Sequence, residues 1–285
     1  DVVIIAGNDI SSEVHGCVLS LNIETIYNEI IYLDLAIDLE IGFMQSGYPI
    51  DINDQVFTTP VSIDINGDGV HEVVFGSKGT GLIYVFNNDG TIFDEELYPY
   101  NAGNQLWGSP AVVDYDNNGK DDVVFVTTYT GGPDNIDILI AMEGTVHELN
   151  LLSNRRILSA PVICDLNSDG ENEIIYTDYN YSGSGCSIYA HNESYSNIDG
   201  FPIDLVDCSR DGLSIIATES SNSYIAFGDD SGDLYLYTDS GDIVDGFPLS
   251  LGAQIKSKPA IIYENEDIYI VISDGELQEG STWES

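Results

Sequence analysis

Short runs of β-branched and aromatic residues, cut by Gly, Pro, Asn and Asp, recur along the chain and predict strands joined by turns. One strand opens with Ser/Thr/Ala-Pro, as in TPVSID, SPAVVD and APVICD, and a second follows in EVVFGS, DVVFVT and EIIYTD. A third comes in GLIYVFN at 81–87, DILIAME at 137–143 and CSIYAHN at 186–192. Closers with Tyr/Phe-Pro stand at 48–50, 98–100, 201–203 and 247–249. Four strands in each period of about 50 residues predict an all-β fold, a β-propeller of six to seven four-stranded blades. Six units are visible, at about 1–50, 57–101, 107–152, 159–205, 211–250 and 257–285, and the terminal two are incomplete. They are read as one domain, a segment of a longer secreted protein.

Between the first and second strands of three units lies one acidic motif: DINGDGVHE at 64–72, DYDNNGKDD at 114–122 and DLNSDGENE at 165–173. Its form, D-x-[DN]-x-[DN]-G-x-x-[DE], places oxygen side chains at positions 1, 3, 5 and 9 around a glycine. Hard oxygen donors on a tight loop suit Ca2+, which takes about 6–8 of them in flexible geometry. The expected ligands are Asp64, Asn66, Asp68 and Glu72 with the Val70 carbonyl, then Asp114, Asp116, Asn118 and Asp122 with the Lys120 carbonyl. In the third loop they are Asp165, Asn167, Asp169 and Glu173 with the Glu171 carbonyl, so about three ions are expected.

An EF-hand begins the same way but needs a bidentate Glu at position 12 and flanking helices. Position 12 is Phe75, Phe125 or Tyr176, and the flanks are strand-like, so the loop joins two strands of a hairpin. Acidic Asn- and Gly-rich turns also form without metal. Three copies in register, each with its ninth-position carboxylate, weigh against that plainer reading.

These loops, with Phe75-Gly76 and Phe227-Gly228, resemble the FG-GAP or VCBS repeat propellers, including the N-terminal head of integrin alpha subunits. The resemblance covers nearly the whole chain. It implies an extracellular, calcium-bearing propeller used in adhesion, in carbohydrate binding or as an accessory domain of a secreted enzyme. The fifth and sixth units lack the metal loop.

The formal charge is −42, from 49 acidic against 7 basic residues. Such a field repels phosphate backbones and anionic membranes, which excludes nucleic acid as an expected partner. Three divalent ions would still leave about −36, so most of the acidity belongs to the surface. It reads as a solubility adaptation or as a face for cationic partners. No apolar run is long enough for a membrane-spanning helix, and no charged-then-apolar leader is present.

Of the cysteines, Cys186 and Cys208 are 22 residues apart and can bridge in an oxidising compartment, whereas Cys17 and Cys164 have no evident partner. Sequons at Asn180 and Asn192 permit glycosylation where the host performs it. The four histidines fall in unrelated contexts, and no nucleophile or metalloprotease motif occurs, so no catalytic residue is assigned. Trp107, in the connection between blades, either stacks on a sugar or plugs the space between blades. Tyr129, Tyr179 and Tyr181, in connections after second strands, are further rim candidates.

The resulting expectation is a calcium-binding extracellular module that holds a protein or carbohydrate ligand at its rim. The alternatives are a subunit of an extracellular assembly completed by strand exchange, and the propeller domain of a secreted polysaccharide-active enzyme or lectin.

Overall fold

A computed structural model describes residues 47–115, 117–128, 138–150, 156–180, 185–217, 222–264 and 267–272, and the backbone of 2–6 and 17–21. A hairpin of β1 (Val2–Ala6) and β2 (Cys17–Leu21) comes first. The next unit is a four-stranded antiparallel sheet of β3 (Val61–Ile63), β4 (Glu72–Gly76), β5 (Leu82–Phe86) and β6 (Tyr100–Asn101). It is followed by β7 (Ala111–Val113), β8 (Asp122–Val126), β9 (Ile138–Met142) and β10 (Thr145–Leu149). The third such sheet is β11 (Val162–Cys164), β12 (Glu173–Thr177), β13 (Ser187–His191) and β14 (Ile203–Asp204). The fourth is β15 (Leu213–Ala217), β16 (Ser223–Gly228), β17 (Asp233–Thr238) and β18 (Leu249–Ser250). A last hairpin pairs β19 (Ala260–Glu264) with β20 (Asp267–Val271).

Each sheet is a simple meander, so its first-to-second and third-to-fourth strand connections emerge at one edge and the remaining connections at the other. First strands of successive sheets touch, β7 with β11, β11 with β15 and β15 with β19, as they do around a propeller axis. The fold is the expected all-β blade repeat, and no helix occurs among the described residues.

The second strands are buried at all five positions in β4, β8 and β12 because both their faces pack on neighbouring blades. Val74 and Val85 face Val123, Phe125, Leu139 and Ala141 of the next blade. Val124 and Ile140 in turn meet Ile174 and Tyr176. Apolar cover on both sides explains why these strands read as unbroken hydrophobic runs rather than as an alternation.

The glycine of the Phe-Gly pairs serves this packing. A Cβ on Gly76 would lie 2.6 Å from Leu106 Cδ1, and one on Gly228 2.6 Å from Ile255 Cγ2. Only glycine lets the next chain approach so closely.

All four Tyr/Phe-Pro closers carry cis peptide bonds, and three of them lead directly into a two-residue fourth strand, β6, β14 or β18. The second blade, which has no such closer, returns at once through Glu143 and Gly144 into the longer β10.

Candidate metal centre

The three acidic loops join β3 to β4, β7 to β8 and β11 to β12, all at one end of the blades. They share one hydrogen-bond scheme. The position-1 carboxylate accepts from the backbone N–H groups of positions 5 and 6: Asp64 from Asp68 and Gly69, Asp114 from Asn118 and Gly119, Asp165 from Asp169 and Gly170, at 2.8–3.0 Å. The position-5 side chain accepts from the position-7 N–H, in Asp68 to Val70, Asn118 to Lys120 and Asp169 to Glu171. Asn66 and Asn167 add a bond from the N–H of Asp68 and Asp169. Asp116 lies outside the described residues. The position-6 glycines take φ of +85°, +87° and +93°. Nothing lies within 4 Å of a Cβ built there, so glycine is needed for its backbone freedom and not for space.

Position 9 is buried. Glu72, Asp122 and Glu173 are 2%, 1% and 0% exposed and accept from the N–H of Ile65, Tyr115 and Leu166 at 3.2, 2.8 and 2.8 Å. Those position-2 residues are themselves buried, so each loop is anchored by an apolar side chain under a ring of oxygens. The anchors were not singled out from sequence, although Ile, Tyr and Leu at one register position are the signal. His71 turns toward Ser62, with Nδ1 3.3 Å from its Oγ.

Burial pushes the Glu72 carboxyl up to about 7, and the nearby carboxylates of Asp68 and Asp64 add to the rise. Glu173 is raised first by burial and then by Asp169 and Asp165. Its Oε1 is buried without a hydrogen-bond partner. Among the described residues no three His, Cys, Asp or Glu side chains already converge as a metal cage. The carboxylates cap backbone N–H groups instead, and each oxygen keeps a second lone pair for another partner. An all-oxygen donor set with mutual repulsion and an orphaned buried oxygen fits a hard cation.

Residues 64–125 match the family described as FG-GAP-like repeat. The matched span runs from the first residue of one acidic loop into the second strand of the next blade, somewhat more than one repeat. Residues 64–125 therefore carry an FG-GAP-like repeat, set in a β-propeller-type fold of four-stranded blades.

No curated protein matches the sequence. Among solved structures, BBS1N in complex with ARL6DN, soaked with mercury, aligns at 10% identity and TM-score 0.46, over 77% of this chain and 60% of that one. The lead-soaked crystal of the same complex gives TM-score 0.48 at 10% identity, over 76% and 63%. The V. cholerae biofilm matrix protein Bap1 aligns at 14% identity and TM-score 0.34, over 73% and 42%. The chain thus spans less than two thirds of the length of each.

At the opposite end of the blades, Trp107 meets Phe57 edge to face, with ring centroids 5.3 Å apart. Lys78 Nζ lies 4.0 Å from the Phe57 ring centroid and 4.2 Å from that of Trp107, and Trp107 Nε1 donates to Gln105 Oε1. Phe57 stays 52% exposed. Tyr179, by contrast, is buried, covered by the Arg210 guanidinium at 5.1 Å, and its hydroxyl accepts from Arg210 Nε. Tyr129 and Tyr181 lie outside the described residues. Neither Phe57 nor Lys78 was singled out from sequence, because their contact with Trp107 crosses from one blade to the next.

Cys186 and Cys208 are disulfide-bonded, with Cα atoms 5.6 Å apart. Cys164 is free, and its thiol is pushed up to about 12, first by burial and then by Glu173 and Asp165. Asn180 is half-buried, while Asn192 Oδ1 accepts from the N–H groups of Ser194 and Ser196 in an exposed turn.

Proposed function

We propose that this propeller is a calcium-stabilised extracellular binding or adhesion module. The observation that carries the reading is the threefold repetition of one loop, each with a buried ninth-position carboxylate beside further acidic oxygens. Bound calcium would neutralise that repulsion and compete with the proton that burial favours on Glu72. The position-1, -3 and -5 side chains would orient the site, and position 9 would tie it to the second strand. The Cys186–Cys208 bond supports an oxidising compartment. The ligand, protein or carbohydrate, would engage the opposite face, where Phe57, Trp107 and Lys78 form an aromatic and cationic surface in an otherwise acidic molecule.

The test is a thermal melt of the full chain in millimolar Ca2+, in Mg2+ and in chelator, with bound metal quantified. A calcium-specific rise with close to three ions per chain is the expected result. No bound metal and no rise would reduce the loops to acidic turns.

A second reading, self-assembly, is favoured by the last hairpin. Ile262, Tyr269 and Val271 are 50%, 51% and 55% exposed, whereas the same register positions in the first sheet, Ile63, Glu72 and Val74, are 0%, 2% and 0%. Another copy would cover that apolar face. Sedimentation that shows a monomer at every concentration would remove this reading.

A further inference from the structure

The first two acidic loops are joined to one another. Asp121, at position 8 of the second loop, accepts from the Asp64 N–H through Oδ2 at 3.2 Å. Its own N–H donates to the Asp64 carbonyl at 3.4 Å. Asp64 is position 1 of the first loop, the residue whose carboxylate caps Asp68 and Gly69. Beside this link the aliphatic stem of Lys120 lies along Gly67, 3.2 Å from where a Cβ would stand, and its ammonium pairs with Glu143. The backbone joined to the first loop is thus the stretch between positions 7 and 9 of the second, Lys120 and Asp122.

The third loop lacks the equivalent of this tie among the described residues. Its position 8 is Asn172, and among the described residues no hydrogen bond runs from it to Asp114, the position-1 residue of the second loop. Among the described residues the Asp121–Asp64 link thus joins the first loop to the second, and no equivalent link joins Asn172 to Asp114.

We infer that Asp121 is a positioning residue that couples the first two sites, so that an ion in either one raises the affinity of the other. This rests on the calcium reading above. An ion in the second loop fixes the Lys120 carbonyl and the Asp122 carboxylate, which orders Asp121 between them. An ordered Asp121 holds the Asp64 backbone, and with it the carboxylate that the first ion needs. Coupling through a shared element is reciprocal and commonly amounts to a factor of about 5–150 in affinity.

Calcium chloride is titrated calorimetrically into the full chain, with bound ions counted, for the unaltered protein, Asp121→Ser, Asp114→Ala and Asp165→Ala. Asp121→Ser is expected to keep every ion but to weaken two of them by about fivefold or more. Asp114→Ala should lose one ion and weaken another by a similar factor, whereas Asp165→Ala should lose one and leave the rest unchanged. If Asp114→Ala does not fold, Asn118→Ala, which removes one exposed donor from the same loop, replaces it. Identical behaviour of the second-loop and third-loop variants overturns the coupling. So does an Asp121→Ser protein that melts earlier in chelator and in calcium alike with its affinities unchanged. Calcium binding without linkage defeats only the coupling, while an unaltered protein that binds no calcium defeats the calcium reading and the coupling together.

Discussion

The two ends of the blades are built on opposite plans. At the acidic-loop end, three blades repeat one hydrogen-bond scheme residue for residue, from the position-1 cap to the buried position-9 carboxylate. At the other end the frame repeats while the side chains do not. The bridges Gln105–Thr128, Thr128–Arg156 and Arg156–Tyr179 link consecutive blades through backbone, yet Lys78, Thr128, Tyr179 and Asp230 occupy one recurring position with unrelated chemistry. Repetition serves a local demand that every blade faces alike. Divergence on a fixed frame is where a partner can be distinguished, since loops held by a rigid scaffold are the usual carriers of specificity.

The largest effect that would break this division is at the repeating end. Asp165→Ala should cost about 2.7 kcal/mol more at calcium one hundred times the dissociation constant than in chelator, where only its caps on Asp169 and Gly170 are lost. In a domain of this size that is a fall of about 2–4 °C in Tm per kcal/mol. Paired melts of the variant and the unaltered protein check it, and an equal loss in both conditions would make the loop a turn rather than a site.

Next comes Gly228→Ala at the other end, where the added Cβ would meet Ile255 Cγ2 at 2.6 Å. Forcing the two blades apart is expected to cost about 1–3 kcal/mol. Here the loss should be the same with and without calcium, as measured by melts in both buffers. A calcium-dependent loss would mean that the two ends are not energetically separate.

Much of the repeating end was legible in the sequence because its physics is local. Strand pairs, the turn glycine and the acidic positions all lie within about ten residues of one another, and their recurrence at an interval of about 50 fixes the blade. What escaped was everything that needs two blades at once. Asp121 looks like a spare acid beside Asp122 until the structure places it on Asp64, 57 residues away. Lys78, Phe57 and Trp107 come from separate connections, and no spacing rule joins them. The Cys186–Cys208 pair was open for the same reason, since a spacing permits a bond without setting its geometry. The apolar anchors Ile65, Tyr115 and Leu166 were the exception, being local and repeated but easily passed over among the acids.

An opposite-signed effect separates proton from metal at the first loop. Glu72 is raised to about 7 in the folded chain from about 4.5. A raised carboxyl binds more protons folded than unfolded, so its contribution is present below about 4.5 and lost as pH rises through about 7. In chelator, stability should therefore fall across that window more steeply for the unaltered protein than for Glu72→Gln. With calcium the carboxylate must be ionised to bind, and affinity should rise over the same range. Melts at pH 5 and pH 7.5 for both proteins check the sign. A Glu72→Gln protein with an unchanged slope in chelator would place the titration elsewhere among the acids.

The smallest effect belongs to the divergent face. Lys78→Ala removes an ammonium lying about 4 Å from two ring centroids on a partly exposed surface. Cation–π contacts at such sites contribute about 0.5–1 kcal/mol, so the fold should barely notice. The rings should notice more: freed of Lys78, the Trp107 indole keeps Phe57 and its bond to Gln105 but loses the cover of the Lys78 ammonium, and its fluorescence should shift toward that of a more hydrated indole. If this face binds the partner, Lys78→Ala should alter partner binding far more than it alters Tm. A stability loss of several kcal/mol would instead make the cluster a plug between blades, and the surface for recognition would have to lie elsewhere on that end.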